Sequence, residues 1–323
     1  MFRLVVCCFS LLVQNILFSQ FGDPTFDLVE QGIVLQDQGK HKQAIEKYNQ
    51  ALQLDKKNAM ALYEKGIAYF SLSQYKKALG LANKIIKYKD PSYLMDAYIL
   101  KADAYEKLGK RNLAIQVYEE ATSLYSKSSF LSRKLGLRYM KMGYHQKAHD
   151  ILIESIYLDH LSAQSHKALA NVLLRNGSFI KGFLVSLRTM NLDPDIKDGL
   201  DILNVINSDL EEKFLNDKDS TISFEKIGLK HDINSSVDNL INRFEYYING
   251  LSKKSENDFY WNYYVDFYKN IVLQGYTEVF IYKLISSVNN SAYSAWISNP
   301  SSQSELEQFN TWMNRYDWPD LNR

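Results

Sequence analysis

Small and bulky apolar residues alternate in a pattern that recurs along the first two thirds of the chain. The first copy has Gly32, Leu35, Ala44, Tyr48 and Ala51, and the pattern begins again after 34, 36, 34 and 34 residues. Apolar residues spaced three and four apart predict two amphipathic helices in each copy. The later copies place their matching residues at Gly66, Tyr69, Ala78, Ala82 and Ile85, at Ala102, Tyr105, Ala114, Tyr118 and Ala121, at Gly136, Tyr139, Ala148, Leu152 and Ser155, and at Ala170, Leu173, Gly182, Ser186 and Thr189.

The recurring small residues have a steric cause. Two helices approach closely only where their side chains are small, so a glycine on one helix and an alanine on the next predict a tight hairpin. No single hairpin buries its apolar face alone, and the copies are therefore expected to stack into a solenoid. The fifth copy is weaker, because Gly182 inside a helix costs about 1 kcal/mol relative to alanine, although Pro194 ends the copy where expected.

This pattern resembles the tetratricopeptide-repeat (TPR) family, in which small, aromatic and proline residues hold fixed positions of a 34-residue repeat. The resemblance predicts an all-α fold with five repeats between residues 25 and 194. The expected repeats are 25–58, 59–92, 95–128, 129–162 and 163–196.

The rest of the chain is predicted to be helical as well. A capping helix and linker are expected over 195–212, and 213–323 forms an aromatic-rich helical C-terminal domain. Helices are expected near 237–251, 256–274 and 277–288, with a last one opened by Ser302 and Glu305. Ser255 with Asp258 is the expected capping box of the 256–274 helix.

The N-terminal residues have the layout of a secretory signal peptide. Arg3 precedes an apolar run from Leu4 to Phe18, and a small residue stands at Ser19. The run is short for a membrane span, so we expect residues 1–19 to be cleaved and the protein to be exported, most simply to the periplasm or cell envelope, with an extracellular location as the alternative. Both cysteines lie in this leader, so no disulfide is expected in the mature chain.

The resemblance also implies a function. TPR arrays bind protein or peptide partners along the surface formed by the first helices of the repeats, and we expect a scaffold or adaptor here. The implied groove is apolar in the first two repeats and carries charged and polar groups in the later ones. Its expected residues are Phe26, Val29, Ile33, Met60, Tyr63, Ile67 and Phe70, then Asp96, Asp103 and Glu106, then Arg133, Lys141, Lys167, Asn171 and Arg175.

Two alternatives stand beside this interpretation of the groove. The apolar zone could be covered within the molecule, with the charges forming an ordinary solvated face. Lys167 and Asn171 also match two positions of the carboxylate clamp of some TPR proteins, but the repeats that would complete a clamp are missing.

Charge is distributed unevenly along the chain. The formal net charge is +1, which argues against a globally basic nucleic-acid-binding protein. Residues 211–323 hold 11 Lys and Arg against 16 Asp and Glu, while residues 4–210 hold 26 against 21. Opposite signs favour docking of the C-terminal domain onto the repeats. A C-terminal ligand site, for glycan binding or hydrolysis, is the alternative function.

Motifs for catalysis and for metal or cofactor binding are weak. His145 and His149 have a metal-compatible spacing, but neither a third ligand nor the glutamate of a zinc hydrolase accompanies them. The sequence has no phosphate-binding glycine loop and no nucleophile elbow. We therefore expect a protein that is not an enzyme and needs no cofactor or metal.

Overall fold

A computed structural model describes residues 23–193, 214, 217, 222–224, 236–253, 258–286 and 290–316. The chain divides into two compact units, an N-terminal unit of residues 1–126 and a C-terminal unit of residues 127–323. The leader at 1–22, Pro194, the capping helix expected over 195–212 and Ser255 lie outside the described residues. The domain boundaries given above stay a prediction.

The described part of the N-terminal unit consists of three antiparallel helix pairs. In each pair the helices contact one another, and the pairs stack in chain order. The helices are α1 (Pro24–Asp37), α2 (His41–Leu54), α3 (Ala59–Ser71), α4 (Tyr75–Tyr88), α5 (Leu94–Lys107) and α6 (Arg111–Leu124). Helices α1 and α5 each begin one residue before the predicted starts of the first and third repeats, and the other four helices lie within the predicted ranges.

Local chemistry sets the ends of these helices. The Asp23 carboxylate accepts a 2.8 Å hydrogen bond from the Thr25 amide, and Pro24 follows it at the start of α1. Asn58 caps α3 in the same way through the Ala61 amide at 2.9 Å. Between the helices of the first and third pairs, Gly39 and Gly109 have φ angles of +73° and +75°, a conformation that favours glycine.

The helices of the first pair meet at Gly32 and Tyr48, both of them buried. A Cβ atom at Gly32 would lie only 2.3 Å from Cε1 of the Tyr48 ring. The sequence pattern is therefore explained here, because the glycine makes room for a buried aromatic ring that cannot move aside.

Alanine substitutions should separate packing glycines from merely tolerated ones. Gly32→Ala is expected to lower the free energy of unfolding by about 1–2 kcal/mol, since overpacking outweighs the gain in helix propensity. Gly80 lies exposed in α4 with open space around it, so Gly80→Ala should raise the free energy of unfolding by up to about 1 kcal/mol. Urea denaturation of both variants measures this, and equal effects would contradict the packing role of Gly32.

The C-terminal unit begins with two more helix pairs, which fall within the fourth and fifth predicted repeats. Their helices are α7 (Ser129–Lys141), α8 (His145–Leu158), α9 (Ala163–Arg175) and α10 (Phe179–Leu192). Gly182 is buried in α10, where a Cβ would lie 2.6 Å from Cδ2 of Leu174. Helix packing thus accounts for the glycine that weakens the fifth copy of the sequence pattern.

Helix α10 differs from the other repeat helices in being buried on nearly all sides. Its residues 182–191 are all buried, including the side chain of Arg188. A helix that is buried all round lies inside a core rather than at the end of a solenoid. The elements that cover it come from the aromatic-rich C-terminal region.

The described residues of this region are mainly helical and include one short strand pair. Helix α11 (Ser236–Asn249) is followed by a π-helical turn (Trp261–Val265) that continues into α12 (Asp266–Leu273), and then by α13 (Thr277–Ile285), α14 (Asn290–Ile297) and α15 (Pro300–Arg315). Strands β1 (Ile222–Phe224) and β2 (Leu251–Lys253) pair antiparallel, with Ser223 opposite Ser252. The all-α class holds, but the expected helical stripe over 237–251 ends at Asn249, and Leu251 belongs to a strand.

Two predicted helix starts in this region are wrong in detail. The last helix begins at Pro300, capped by the Asn299 side chain, which accepts a 3.0 Å hydrogen bond from the Ser301 amide. Ser302 is instead buried. Asp258, expected as the acidic member of a capping box, itself accepts a 2.8 Å hydrogen bond from the Trp261 amide and acts as a cap.

Tyrosine hydroxyls join the π-helical turn and α12 to the repeat helices. The Tyr264 hydroxyl lies 2.8 Å from Nδ1 of His166, and the Tyr260 hydroxyl lies 2.7 Å from Nε2 of His149. Tyr268 donates to the carbonyl oxygen of Leu184 at 3.0 Å. The π-helical turn is wider than an α-helical turn and therefore changes the spacing of side chains along the helix. It occurs at the run of aromatic residues that contacts the repeat helices.

His166 is fully buried at the centre of these contacts. Its Nε2 lies 3.1 Å from the His160 carbonyl oxygen, so Nε2 carries the proton and Nδ1 accepts from Tyr264. Burial, with a smaller contribution from the positive charge of Arg188, lowers the pKa of His166 to about 3. The imidazole is therefore neutral at physiological pH.

Candidate functional site

Two tyrosines and two carboxylates form a polar surface patch on the N-terminal unit. Tyr63 and Glu64 stand on α3, while Tyr93 precedes α5 and Asp96 lies in its first turn. We call Tyr63, Glu64, Tyr93 and Asp96 the acidic aromatic patch. All four side chains are partly buried, so each retains a surface that a ligand can reach.

The two rings of the patch lie against one another. The centroids of Tyr63 and Tyr93 are 5.6 Å apart at an interplanar angle of 40°. Burial raises the pKa of Tyr63 to about 12, and the negative charges of Asp96 and Glu64 add to the effect. The rings therefore stay neutral, in a field made negative by the carboxylates beside them.

The carboxylates of the patch are desolvated without being neutralised. The Gln36 side chain on α1 donates a 3.2 Å hydrogen bond to Glu64. Burial nevertheless raises the pKa of Glu64, and the charges of Asp37 and Asp96 raise it further. Burial also raises the pKa of Asp96, although its place in the first turn of α5 is one where the helix dipole favours a negative charge.

Neither carboxylate has a cationic partner among the described residues. Within this part of the chain, the Asp96 carboxylate makes no hydrogen bond or ion pair. The Glu64 carboxylate accepts a hydrogen bond from the neutral side-chain amide of Gln36. A partly buried carboxylate is normally compensated by a nearby cation or by several hydrogen-bond donors. Carboxylates beside tyrosine faces form a surface suited to an ammonium or guanidinium group, which binds both.

The apolar residues predicted for the groove contribute less open surface than expected. Val29 is 1% exposed and packs in the core with Tyr48, so it does not line a groove. Five others, Ile33, Met60, Tyr63, Ile67 and Phe70, are partly buried against the same core or the neighbouring ones. Phe26 is the exception, with 49% of its surface exposed.

The charged and polar residues predicted for the groove are divided between the two units. In the N-terminal unit, Asp103 accepts a 2.6 Å hydrogen bond from the Tyr118 hydroxyl. In the C-terminal unit, Arg133 lies 5.2 Å from the Phe130 ring centroid, and burial lowers its pKa. The remaining members of the set are Glu106 and Lys167, which are partly buried, and Lys141, Asn171 and Arg175, which are exposed.

Sequence reasoning missed half of the patch. Glu64 and Tyr93 lie outside the repeat positions that the TPR resemblance assigns to the groove. Tyr93 falls in the longer turn before the third repeat, where no regular offset applies. The longer turn itself is the sequence signal that points to Tyr93, because functional residues often lie in irregular connections between regular elements.

The described residues contain neither a metal-binding cluster nor a membrane-spanning helix. Within the described ranges, no group of three or more His, Cys, Asp or Glu side chains is arranged to hold a metal ion. His149 instead contacts Asp150 at 2.9 Å and Tyr260. No helix in that part of the chain has both the length and the apolar character to cross a bilayer.

Stacked antiparallel helix pairs with small residues at their crossings define a helical-repeat protein. Residues 32–73 match a family model described as TPR repeat, and residues 96–128 match one described as tetratricopeptide repeat. The chain therefore carries tetratricopeptide repeats over these two segments. Its fold confirms the repeat pattern predicted from the sequence, and the class is one of protein–protein interaction scaffolds.

Curated relatives match through a limited segment. The BBSome complex member BBS4 of Bos taurus is 29% identical over 145 residues, which cover 44% of this chain and 27% of that protein. A TPR repeat-containing protein of Methanocaldococcus jannaschii is 29% identical over 128 residues, or 39% of this chain and 22% of the relative. The chain thus spans about a quarter of the length of the curated relatives it matches.

Solved structures resemble the chain at the level of the repeat fold. The MamA fragment from Desulfovibrio magneticus RS-1 has a TM-score of 0.46 and 20% identity, covering 55% of this chain and 98% of that one. YrrB, described as a TPR protein with an unusual peptide-binding site, has a TM-score of 0.44 and 16% identity, covering 60% and 97%.

Proposed function

We propose that the N-terminal unit binds a basic segment of a partner protein through the acidic aromatic patch. A lysine or arginine side chain of the partner would lie against the Tyr63 and Tyr93 rings and pair with Glu64 and Asp96. Exposed Phe26, on helix α1, which packs against α3, would offer the same partner an apolar contact. The observation that carries the proposal is the pair of desolvated carboxylates that have no cationic partner within the described part of the chain.

The direction of the pKa shifts supports a role in binding rather than in folding. A carboxyl group whose pKa is raised in the folded state binds protons more tightly there than in the unfolded chain. Its contribution to stability is therefore present at low pH and is lost as the pH rises through the raised pKa. At neutral pH both carboxylates cost stability, which is typical of groups kept for a ligand.

Neutral isosteres should separate the two roles. For a peptide ligand selected against the wild-type chain, Glu64→Gln or Asp96→Asn is expected to weaken binding at least about tenfold, since each removes a charge-assisted contact. The melting temperature at pH 7 should stay the same or rise. Titration calorimetry and thermal denaturation of the full chain give the two readouts.

Glu46→Gln serves as the matched control, because Glu46 is exposed on the second helix α2 and lies outside the patch. It should leave both affinity and melting temperature unchanged. If the patch variants lose stability and keep their affinity, the carboxylates are structural and the proposal fails.

We also propose that the aromatic C-terminal region stays docked on the last two repeats in solution. Supporting this are the hydrogen bonds of Tyr260, Tyr264 and Tyr268 to the repeat helices, together with the Lys181–Asp258 ion pair at 3.4 Å. The charge imbalance between the two parts of the sequence contributes less to this proposal than the aromatic contacts do, because exposed charges are largely screened.

The cellular location belongs to the same proposal. An adaptor that acts in the cell envelope is supported by the apolar leader between Leu4 and Phe18. N-terminal sequencing of the protein purified from its native host tests this, with Gln20 or Phe21 as the expected first residue. An N-terminus that retains the leader would contradict export by cleavage.

A further inference from the structure

An open cavity of about 480 Å³ lies on the C-terminal region. It is bordered by the face of α15 that carries Glu307, Gln308 and Arg315, at spacings that place them on one side of a helix. Tyr276, in the turn before α13, contributes to the lining as well. The volume falls within the range usual for small-molecule sites.

Aromatic rings provide part of the cavity lining. The ring centroids of Trp312 in α15 and of Tyr316, which follows that helix, are 5.2 Å apart, and the Tyr276 centroid is 5.5 Å from that of Trp312. These rings also contact buried Phe309 and Phe267 beneath them. They are therefore held in place before any ligand arrives, which lowers the entropic cost of binding.

The polar groups around these rings are available to a ligand. Among the described residues, no hydrogen bond or ion pair engages the Tyr276 hydroxyl, the Glu307 carboxylate or the Arg315 guanidinium. The Gln308 amide makes one 3.3 Å hydrogen bond, to Ser304. The cavity thus combines fixed rings with a carboxylate, an amide, a guanidinium and a hydroxyl.

We propose that this cavity binds a neutral saccharide. A sugar ring presents C–H groups on one face, which pack on aromatic rings, and hydroxyl groups at its rim, which both donate and accept hydrogen bonds. Among the described lining residues, one carboxylate and one guanidinium balance in charge, so these residues give no preference for an ionic ligand. A purely apolar ligand would make no hydrogen bond to Glu307 or Arg315.

Titration calorimetry of the full chain with neutral hexasaccharides of β-1,4-glucose, β-1,4-N-acetylglucosamine and α-1,4-glucose tests the proposal. At least one is expected to bind. Tyr276→Phe, which keeps the ring, and Glu307→Ala, at an exposed position, should each weaken it about tenfold. Asn314→Ala, an exposed residue of the same helix outside the cavity lining, should leave binding unchanged.

Three outcomes would overturn the proposal. One is that none of the three saccharides binds at millimolar concentration. Another is that binding persists unchanged in both cavity variants. The third is that a proline-rich peptide, rather than a sugar, occupies the cavity and protects Trp312 from solvent quenching. Because the acidic aromatic patch lies in the other unit, its variants serve here as further controls, and neither proposal depends on the other.

Discussion

Replacing His166 with glutamine should remove much of the acid sensitivity of the C-terminal unit. Between pH 7 and pH 4.5, the wild-type protein is expected to lose about 3 kcal/mol more unfolding free energy than His166→Gln. The reason is the buried position of His166, whose pKa falls from 6.5 to about 3 in the folded state. Glutamine can accept from Tyr264 and donate to the His160 carbonyl, so it keeps both contacts without titrating.

The sign follows from proton binding. Below pH 6.5 the unfolded chain protonates His166, whereas the folded chain does so only near pH 3. Stability is therefore complete above pH 6.5 and is lost as the pH falls through the interval between these values. Carboxylates also titrate in acid, but they are common to both proteins and cancel in the difference.

Urea denaturation at several pH values, followed by tyrosine and tryptophan fluorescence, measures this difference. His160→Gln is a suitable control, because its side chain is exposed while its backbone carbonyl is the group that contacts His166. The control should change the pH dependence little, because the charge of His160 makes the smallest contribution to the lowered pKa of His166. Parallel curves for the wild type and His166→Gln would show that His166 is not buried as a neutral group.

Truncating Tyr268 should destabilise the repeats and the C-terminal helices together. Tyr268 is fully buried, with its ring 6.0 Å from that of Phe244 and its hydroxyl on the Leu184 carbonyl of α10. Tyr268→Ala is expected to cost about 3–5 kcal/mol, as for other buried aromatic residues. Tyr268→Phe removes the hydroxyl alone and should cost about 0.5–1.5 kcal/mol.

Hydrogen exchange distinguishes a shared loss of stability from a local one. If the C-terminal region is docked as proposed, Tyr268→Ala should reduce amide protection in α10 as well as in α12 and α13. Tyr276→Ala would be a poor control because it alters the cavity, whereas Leu273→Ala is suitable, since Leu273 is 78% exposed. Loss of protection confined to α12 and α13 would mean that the two parts are independent.

The repeat helices could be predicted from the sequence because their cause is local and periodic. Gly32 must be small since Tyr48 occupies the space beside it, and the same requirement returns at a fixed interval. Each helix also carries its own end signals, such as Asn58 before α3. Features that repeat with the period of the fold are visible without any knowledge of long-range contacts.

The patch and the C-terminal contacts could not be predicted in this way. The significance of Glu64 depends on its burial and on Asp96, 32 positions away, rather than on its residue type. The TPR resemblance assigns Val29 to the groove by its position in the repeat. That position does not show which face of α1 packs against α2, and Val29 lies on the packed face. The pairing of His166 with Tyr264 joins residues 98 positions apart, for which no sequence period exists.

Selection of a random peptide library against the wild-type chain, followed by sequencing of the recovered ligands, tests the central claim most directly. The account predicts ligands rich in lysine or arginine with an apolar residue nearby. It also predicts that this enrichment disappears when the selection is repeated with the Glu64→Lys, Asp96→Lys double variant. Recovery of acidic or uncharged ligands, or of the same basic ligands by both proteins, would contradict a partner site at the acidic aromatic patch.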